Sequence, residues 1–217
     1  MSRKVISLVL LISVVCIVFS GCQRLVKFNF TEDGKLTDGR NFYKYAPSGY
    51  EPTFQGDVYG VIKETLEENL YRIGTNDPMD WLTTEYSGLA TLVYYNENIP
   101  LPGIMEMNPG LCYICEQDST SMSIYTVGEK GQEEQAVIDY LIAASSDESA
   151  EEEIWPRTDC SSVYHLKFYS DDYPAIYYNM IFAYNSSDYY LYDCVTKRCV
   201  RIENVLAPYY ENTFSEN

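Results

Sequence analysis

The chain has 217 residues, 46% hydrophobic and 22% charged, the composition of a globular protein with room for one domain or two small ones. Its 32 Asp+Glu against 15 Lys+Arg leave a net charge of −17, which argues against the basic footprint of a nucleic-acid binder and against electrostatic docking on an anionic membrane. A single His rules out multi-His metal sites, whereas 22 Tyr exceed what a core of this size needs.

Ser2-Arg3-Lys4 is a short basic start, and Val5 to Phe19 is an apolar run of 15 residues broken only by Ser7 and Ser13. That length fits the hydrophobic stretch of a signal peptide and falls short of the roughly 20 residues that span a bilayer. Small residues Ser20 and Gly21 lead directly into Cys22. The string Phe19-Ser20-Gly21-Cys22 resembles the lipobox of bacterial lipoprotein precursors, with Phe19 where members usually carry Leu. The resemblance covers residues 1–22. It implies cleavage before Cys22, lipidation of the Cys22 thiol and a mature chain on the outer face of the cell membrane. Each acyl CH₂ buried in the bilayer contributes about 0.8 kcal/mol, so two or three chains make a permanent anchor. An ordinary signal peptide is the alternative. Loss of residues 1–21 removes two basic residues and no acid, which takes the charge to −19.

Residues 22–55 read as a tether with a small hairpin. Val26-Lys27-Phe28-Asn29-Phe30 alternates, and Asp33-Gly34 is a turn pair before Lys35-Leu36. From Asp57 the period changes. Val58, Ile62, Leu66, Leu70 and Ile73 fall four, four, four and three apart, with Lys63, Glu64, Glu67 and Glu68 on the other side, which predicts an amphipathic helix. Strands are predicted over Leu89–Tyr95, Ile104–Met107, Leu111–Glu116 and Ser121–Val127, separated by turns with Pro100 and Asn108-Pro109-Gly110. A second helix is predicted over Gln132–Ala144, with Ala136, Val137, Tyr140, Leu141 and Ala144 on one face. The acidic stretch Ser145–Glu153 reads as a solvated loop.

Shifting the chain by 74 residues lays Leu92 on Leu166, Tyr94 on Phe168 and Pro100 on Pro174. A shift of 75 lays Val61, Ile62 and Leu66 on Ala136, Val137 and Leu141. With a small insertion, Ile124 meets Ile202. The expected fold class is therefore α+β, a tandem repeat of one helix followed by an antiparallel meander. Its units are 56–128 and 129–206, with 207–217 as a tail; a single continuous α+β domain is the rival. The order of elements is similar in outline to the tandem helix-plus-four-strand proteins that inhibit β-lactamases. In the second meander Tyr164, Leu166 and Phe168 share one face and His165 and Lys167 the other, while Ile176, Tyr178, Met180, Phe182 and Tyr184 share a face.

Cys194 and Cys199 flank a four-residue turn and are expected to bridge the last hairpin. Cys112-Tyr113-Ile114-Cys115 matches C-x-x-C, but strand flanks put the two thiols on opposite faces, unlike the helix-borne redox motif. Cys160 and His165 invite a Cys–His reading, yet His165 falls on the polar face. No catalytic residue, metal site or cofactor is assigned. Alternation sends Tyr177 to the face opposite Tyr178, and Tyr190 and Tyr192 to the face opposite Tyr189. These three form the candidate binding surface, because exposed Tyr gives rigid contact area at low entropy cost. The reading is a non-enzymatic, membrane-anchored protein that recognises a protein, peptide or glycan through an acidic, Tyr-rich surface, with no nucleic-acid partner. An envelope-associated hydrolase using unassigned carboxylates is the alternative.

Overall fold

A computed structural model describes residues 25–63, 68–73, 80–85, 91–117, 122–128, 131–155, 160, 162–185 and 188–210. The signal segment, Cys22 and the tail from 211 lie outside these residues. Strands β1 (Val26–Phe30), β2 (Leu36–Thr37) and β3 (Phe42–Tyr45) form an antiparallel meander. Gly34, at φ 80°, supplies the first turn, and the Thr31 hydroxyl accepts the Lys35 N–H at 3.0 Å. The expected hairpin therefore exists. It is built into a wall of the fold, and the stretch read as a tether contributes three of its strands.

The short β4 (Tyr50–Pro52) leaves for a second sheet. Then β5 (Gln55–Ile62), β6 (Glu68–Ile73), β7 (Trp81–Thr84) and β8 (Val93–Asn96) complete a closed seven-stranded barrel in the order β1-β2-β3-β8-β7-β6-β5. Closure comes from a parallel pairing of β1 with β5, through Val26↔Gly60 and Phe28↔Ile62. Register shifts in β5 at Val58 let the wall curl. Phe28, Leu36, Tyr43, Ile62, Leu70, Leu82 and Tyr94 fill the interior.

The helix expected from Asp57 is replaced by the β5–β6 hairpin, with Leu66 outside the described residues. The physical reason lies in the spacing. Steps of four satisfy a period of two as well as a period of 3.6, so Ile62 and Leu70 both face the barrel interior from neighbouring strands, while the register shift beside Val58 turns that residue to the face of Tyr71. Val58, Val61, Ile62 and Tyr59 favour the strand, and Gly60 opposes a helix interior. Gly60 is also sterically required, because a Cβ there would stand 2.6 Å from both the Phe28 ring and the Val26 carbonyl oxygen.

The second half begins with one helical turn, α1 (Ile104–Met107), where a strand was expected. Glu106 accepts the Gly103 N–H at 3.0 Å, Asn108 in the left-handed region ends the turn, and Ile104 and Met107 bury one face. The strands β9 (Leu111–Gln117), β10 (Met122–Val127), β11 (Ser162–Tyr169), β12 (Ile176–Tyr184), β13 (Tyr189–Asp193) and β14 (Cys199–Ile202) form an open antiparallel sheet. Its order is β10-β9-β11-β12-β13-β14, with β4 continuing the line of β13 along β12. Helix α2 (Gln132–Ser146) covers its inner face through Ile138 and Leu141, and the short α3 (Ala207–Tyr210) buries Tyr210 beside them. The buried line of α2 runs one residue away from the expected stripe, so that Ala136 is exposed. Ile73, Trp81 and Val93 of the barrel pack into the same core as Tyr164, Leu166 and Phe168, joining barrel and sheet.

The α+β tandem repeat is therefore corrected to a mostly β architecture, a closed barrel followed by an open sheet under one long helix. With no first helix there is nothing for α2 to repeat, and the likeness to tandem helix-plus-meander inhibitors goes with it. The paired positions differ too: Ile124 is exposed where Ile202 is buried.

Candidate binding face

Alternation along the second sheet assigns each side chain to one of two faces. Tyr164, Leu166, Phe168, Ile176, Tyr178, Met180 and Phe182 point into the core, as the pattern predicted. The opposite face carries Tyr113 and Cys115 from β9, and Val163, His165, Lys167 and Tyr169 from β11. It continues with Tyr177, Asn179, Ile181 and Ala183 from β12, Tyr190 and Tyr192 from β13, and Glu51 from β4. None of the three helices among the described residues covers this face.

Of the three Tyr singled out from sequence, Tyr177 stands within the face. Its ring meets Tyr113 edge-on at 5.9 Å and Tyr169 at 6.1 Å, with the Lys167 ammonium 5.9 Å from its centre. Tyr192 lies on the same face but packs at 5.0 Å against Trp155, which crosses from the acidic loop. That loop is anchored on the sheet edge, where the Glu153 N–H donates to the Cys199 carbonyl at 2.9 Å. Tyr190 is a correction. It is buried at 8% exposure, because its cross-strand neighbours are the small Ala183 and the long Arg201, and it contributes no exposed ring.

Lys167 pairs with Glu51 at 2.5 Å. Their registers give this contact a particular path. Glu51 sits beside Tyr177 on one flank of β12, and Lys167 sits beside Asn179 on the other. The ion pair therefore straps across β12 over Tyr177 and Asn179. Asn179 lies beneath it at 4% exposure, and neither its amide nitrogen nor its amide oxygen has a partner among the described residues. Two buried orphans on one side chain are exceptional, since more than nine in ten buried polar groups are bonded.

The sequence paired His165 with Cys160; the register instead sets it directly opposite Cys115. Burial pushes the Cys115 thiol up, with the Lys167 charge opposing and Glu51 adding to the rise. Desolvation holds His165 below its ordinary value, Glu51 pulls it up and Lys167 pushes it down. The thiol is thus kept protonated, the reverse of an activated nucleophile. Tyr177 is also raised, by burial first and then by the neighbouring Tyr113.

The last hairpin forms, but its turn lies one residue earlier than expected, which moves each cross-strand partner by two residues. Buried Asp193 accepts the Tyr178 hydroxyl at 2.8 Å and the N–H groups of Val195 and Thr196 at 2.7 and 3.1 Å. The Asp193 N–H donates to the Arg198 carbonyl, and Lys197 takes φ 65°. Cys199 therefore faces Tyr192 rather than Cys194, and both cysteines stand as free thiols. Burial raises each to about 11.

A separate shallow cleft of about 460 Å³ opens between the end of α2 and β14, lined by Tyr140, Ala143, Ala144, Asp147, Ala150, Val200 and Arg201. Arg201 is already committed to Glu153 and Asp188, each at 3.3 Å.

No protein-family model matches the chain, and no curated protein or solved structure matches it.

Proposed function

We propose that the protein is a lipid-anchored, extracytoplasmic binding protein that recognises its partner on the outer face of the second sheet. The observation that carries this reading is the group of half-buried rings Tyr113, Tyr169 and Tyr177 around the Glu51–Lys167 pair, on a face that no helix among the described residues covers. Rings held edge to face by their neighbours are already ordered, so little conformational entropy is lost when a partner lies on them. The lipobox-like Phe19-Ser20-Gly21-Cys22 supports the anchor. Three residues separate Cys22 from β1, so acylation holds the barrel within about 14 Å of the lipid. Such confinement raises the effective concentration for partners at the same surface.

The test is partner capture by the mature, detergent-solubilised protein against panels of envelope glycans and peptides. The double variant Tyr113→Ser/Tyr177→Ser is expected to abolish capture. It removes the Tyr113–Tyr177 and Tyr169–Tyr177 ring contacts, each worth about 0.5–1.5 kcal/mol beyond its area, and the Lys167 contact to Tyr177, all on half-buried side chains outside the core, so the fold is expected to survive. Capture that persists in the double variant refutes the reading, and turnover of any envelope polymer by the purified protein replaces it with the hydrolase.

A further inference from the structure

We infer that Asn179 is the floor of a ligand site on the outer sheet face, and that the ligand is an N-acetylated amino sugar. The inference rests on the binding-face reading and names its chemistry. Asn179 is the single non-aromatic polar residue of β12, whose sequence is otherwise Ile-Tyr-Tyr before it and Met-Ile-Phe-Ala-Tyr after it. A Leu of nearly the same shape would leave no donor and acceptor buried without partners, yet the chain keeps an amide there. A carboxamide holding an unmet N–H and an unmet C=O side by side is complementary to one group above all, another amide. The incoming C=O accepts from Nδ2 and the incoming N–H donates to Oδ1.

Three surrounding features narrow the class. Glu51 and Lys167 compensate each other at 2.5 Å, so the site favours an uncharged ligand. Tyr177, next to Asn179 along the same face of β12 and met edge-on by Tyr113, presents ring surface suited to the C–H face of a pyranose. The Glu51 carboxylate, bonded to Lys167 through Oε2, has its second oxygen to accept from hydroxyl groups. A pyranose bearing an acetamido group supplies all three complements at once. A peptide also carries amides, but sheets recognise peptide backbones along strand edges, whereas Asn179 has its backbone paired on both flanks, with β11 on one side and the junction of β4 and β13 on the other. Access requires the strap to move aside. Its Lys167 and Glu51 side chains are 26% and 36% exposed, and ion pairs so open to water are weak.

The experiment is calorimetric titration of the mature protein with tri-N-acetylchitotriose. Cellotriose, which lacks the acetamido groups, and an N-acetylated dipeptide methylamide serve as comparison ligands. Chitotriose is expected to bind at least tenfold more tightly than cellotriose, with Asn179→Leu abolishing the difference and raising the melting temperature. Equal affinity for the two sugars, binding unaffected by Asn179→Leu, or Asn179-dependent binding of the dipeptide alone would each overturn the inference. A lowered melting temperature in Asn179→Leu overturns it as well, since it shows that the amide is already satisfied. If no chitotriose binds while another ligand is captured and then lost in Tyr113→Ser/Tyr177→Ser, this inference fails and the binding face stands. If capture ignores the Tyr pair, the face itself fails.

Discussion

Replacing Asp193 by Ala is expected to destabilise the protein by about 3–5 kcal/mol, because this one carboxylate organises the turn between β13 and β14. It is 2% exposed and accepts three hydrogen bonds, from the Tyr178 hydroxyl and from the backbone of Val195 and Thr196. Hydrogen bonds to a charged acceptor contribute about 1.5–3 kcal/mol each, but the two backbone groups are only partly buried and recover some water bonding in the variant. The Tyr178 hydroxyl does not, since that ring is 1% exposed and becomes an unpartnered donor. In a chain of this size about 3–5 kcal/mol lowers Tm by roughly 6–20 °C. Urea unfolding followed through Trp81 and Trp155 fluorescence measures the loss. Tyr178→Phe removes only the donor, and the double variant should be less destabilised than the sum of the singles by at least about 1 kcal/mol. A loss below about 1 kcal/mol for Asp193→Ala would show that the turn holds its register without the carboxylate, and the exclusion of a Cys194–Cys199 pairing would lose its basis.

Gly60→Ala places a methyl group against the Phe28 ring and the Val26 oxygen, where overpacking costs about 1–3 kcal/mol, so its urea midpoint should fall; an unchanged midpoint contradicts the β1–β5 closure. Burial, with smaller contributions from Glu68 and Tyr45, raises Tyr94 from 10.0 to about 12. Between those values the unfolded chain releases a proton that the folded chain keeps, so stability is full below pH 10 and declines as pH rises toward 12. Tyr94→Phe should make that alkaline decline shallower, and an identical slope would mean the ring is solvated. Cys22→Ala should leave the precursor uncleaved or release it from the membrane fraction, and an unmodified Cys22 in the mature wild-type protein would remove the anchor.

The two sheets were unequally legible. In β11 and β12 strict alternation of large apolar residues left a single solution, and the predicted faces are those observed. Around Val58 to Ile73 the four-residue spacing served helix and strand alike, and the deciding information was distant. Gly60 makes sense only once β1 lies against β5, a pairing between residues more than thirty positions apart in the chain. Ile104–Met107 was too short for periodicity to speak, and its cap, not its apolar residues, makes it helical. At the proposed binding face Tyr177 was found by parity alone. Tyr190 shares that parity, but its burial depends on Ala183 and Arg201 across the ladder, which no local pattern reveals. The Glu51–Lys167 strap joins residues 116 positions apart and was out of reach. Asn179 did leave a signal, a lone amide within an apolar and aromatic strand, and parity would have placed it beside Tyr177.

Site-directed photocrosslinking in intact cells tests the binding face most directly. A benzophenone amino acid replaces Tyr177 on the outer sheet face, and in a second strain it replaces Phe42, which is 40% exposed on the barrel. Irradiation should join the residue-177 probe to a defined envelope component, identifiable by the mass of the adduct, and leave the residue-42 probe unlinked. Adducts that form at residue 42 and are missing at residue 177 would place recognition on the barrel and contradict the account.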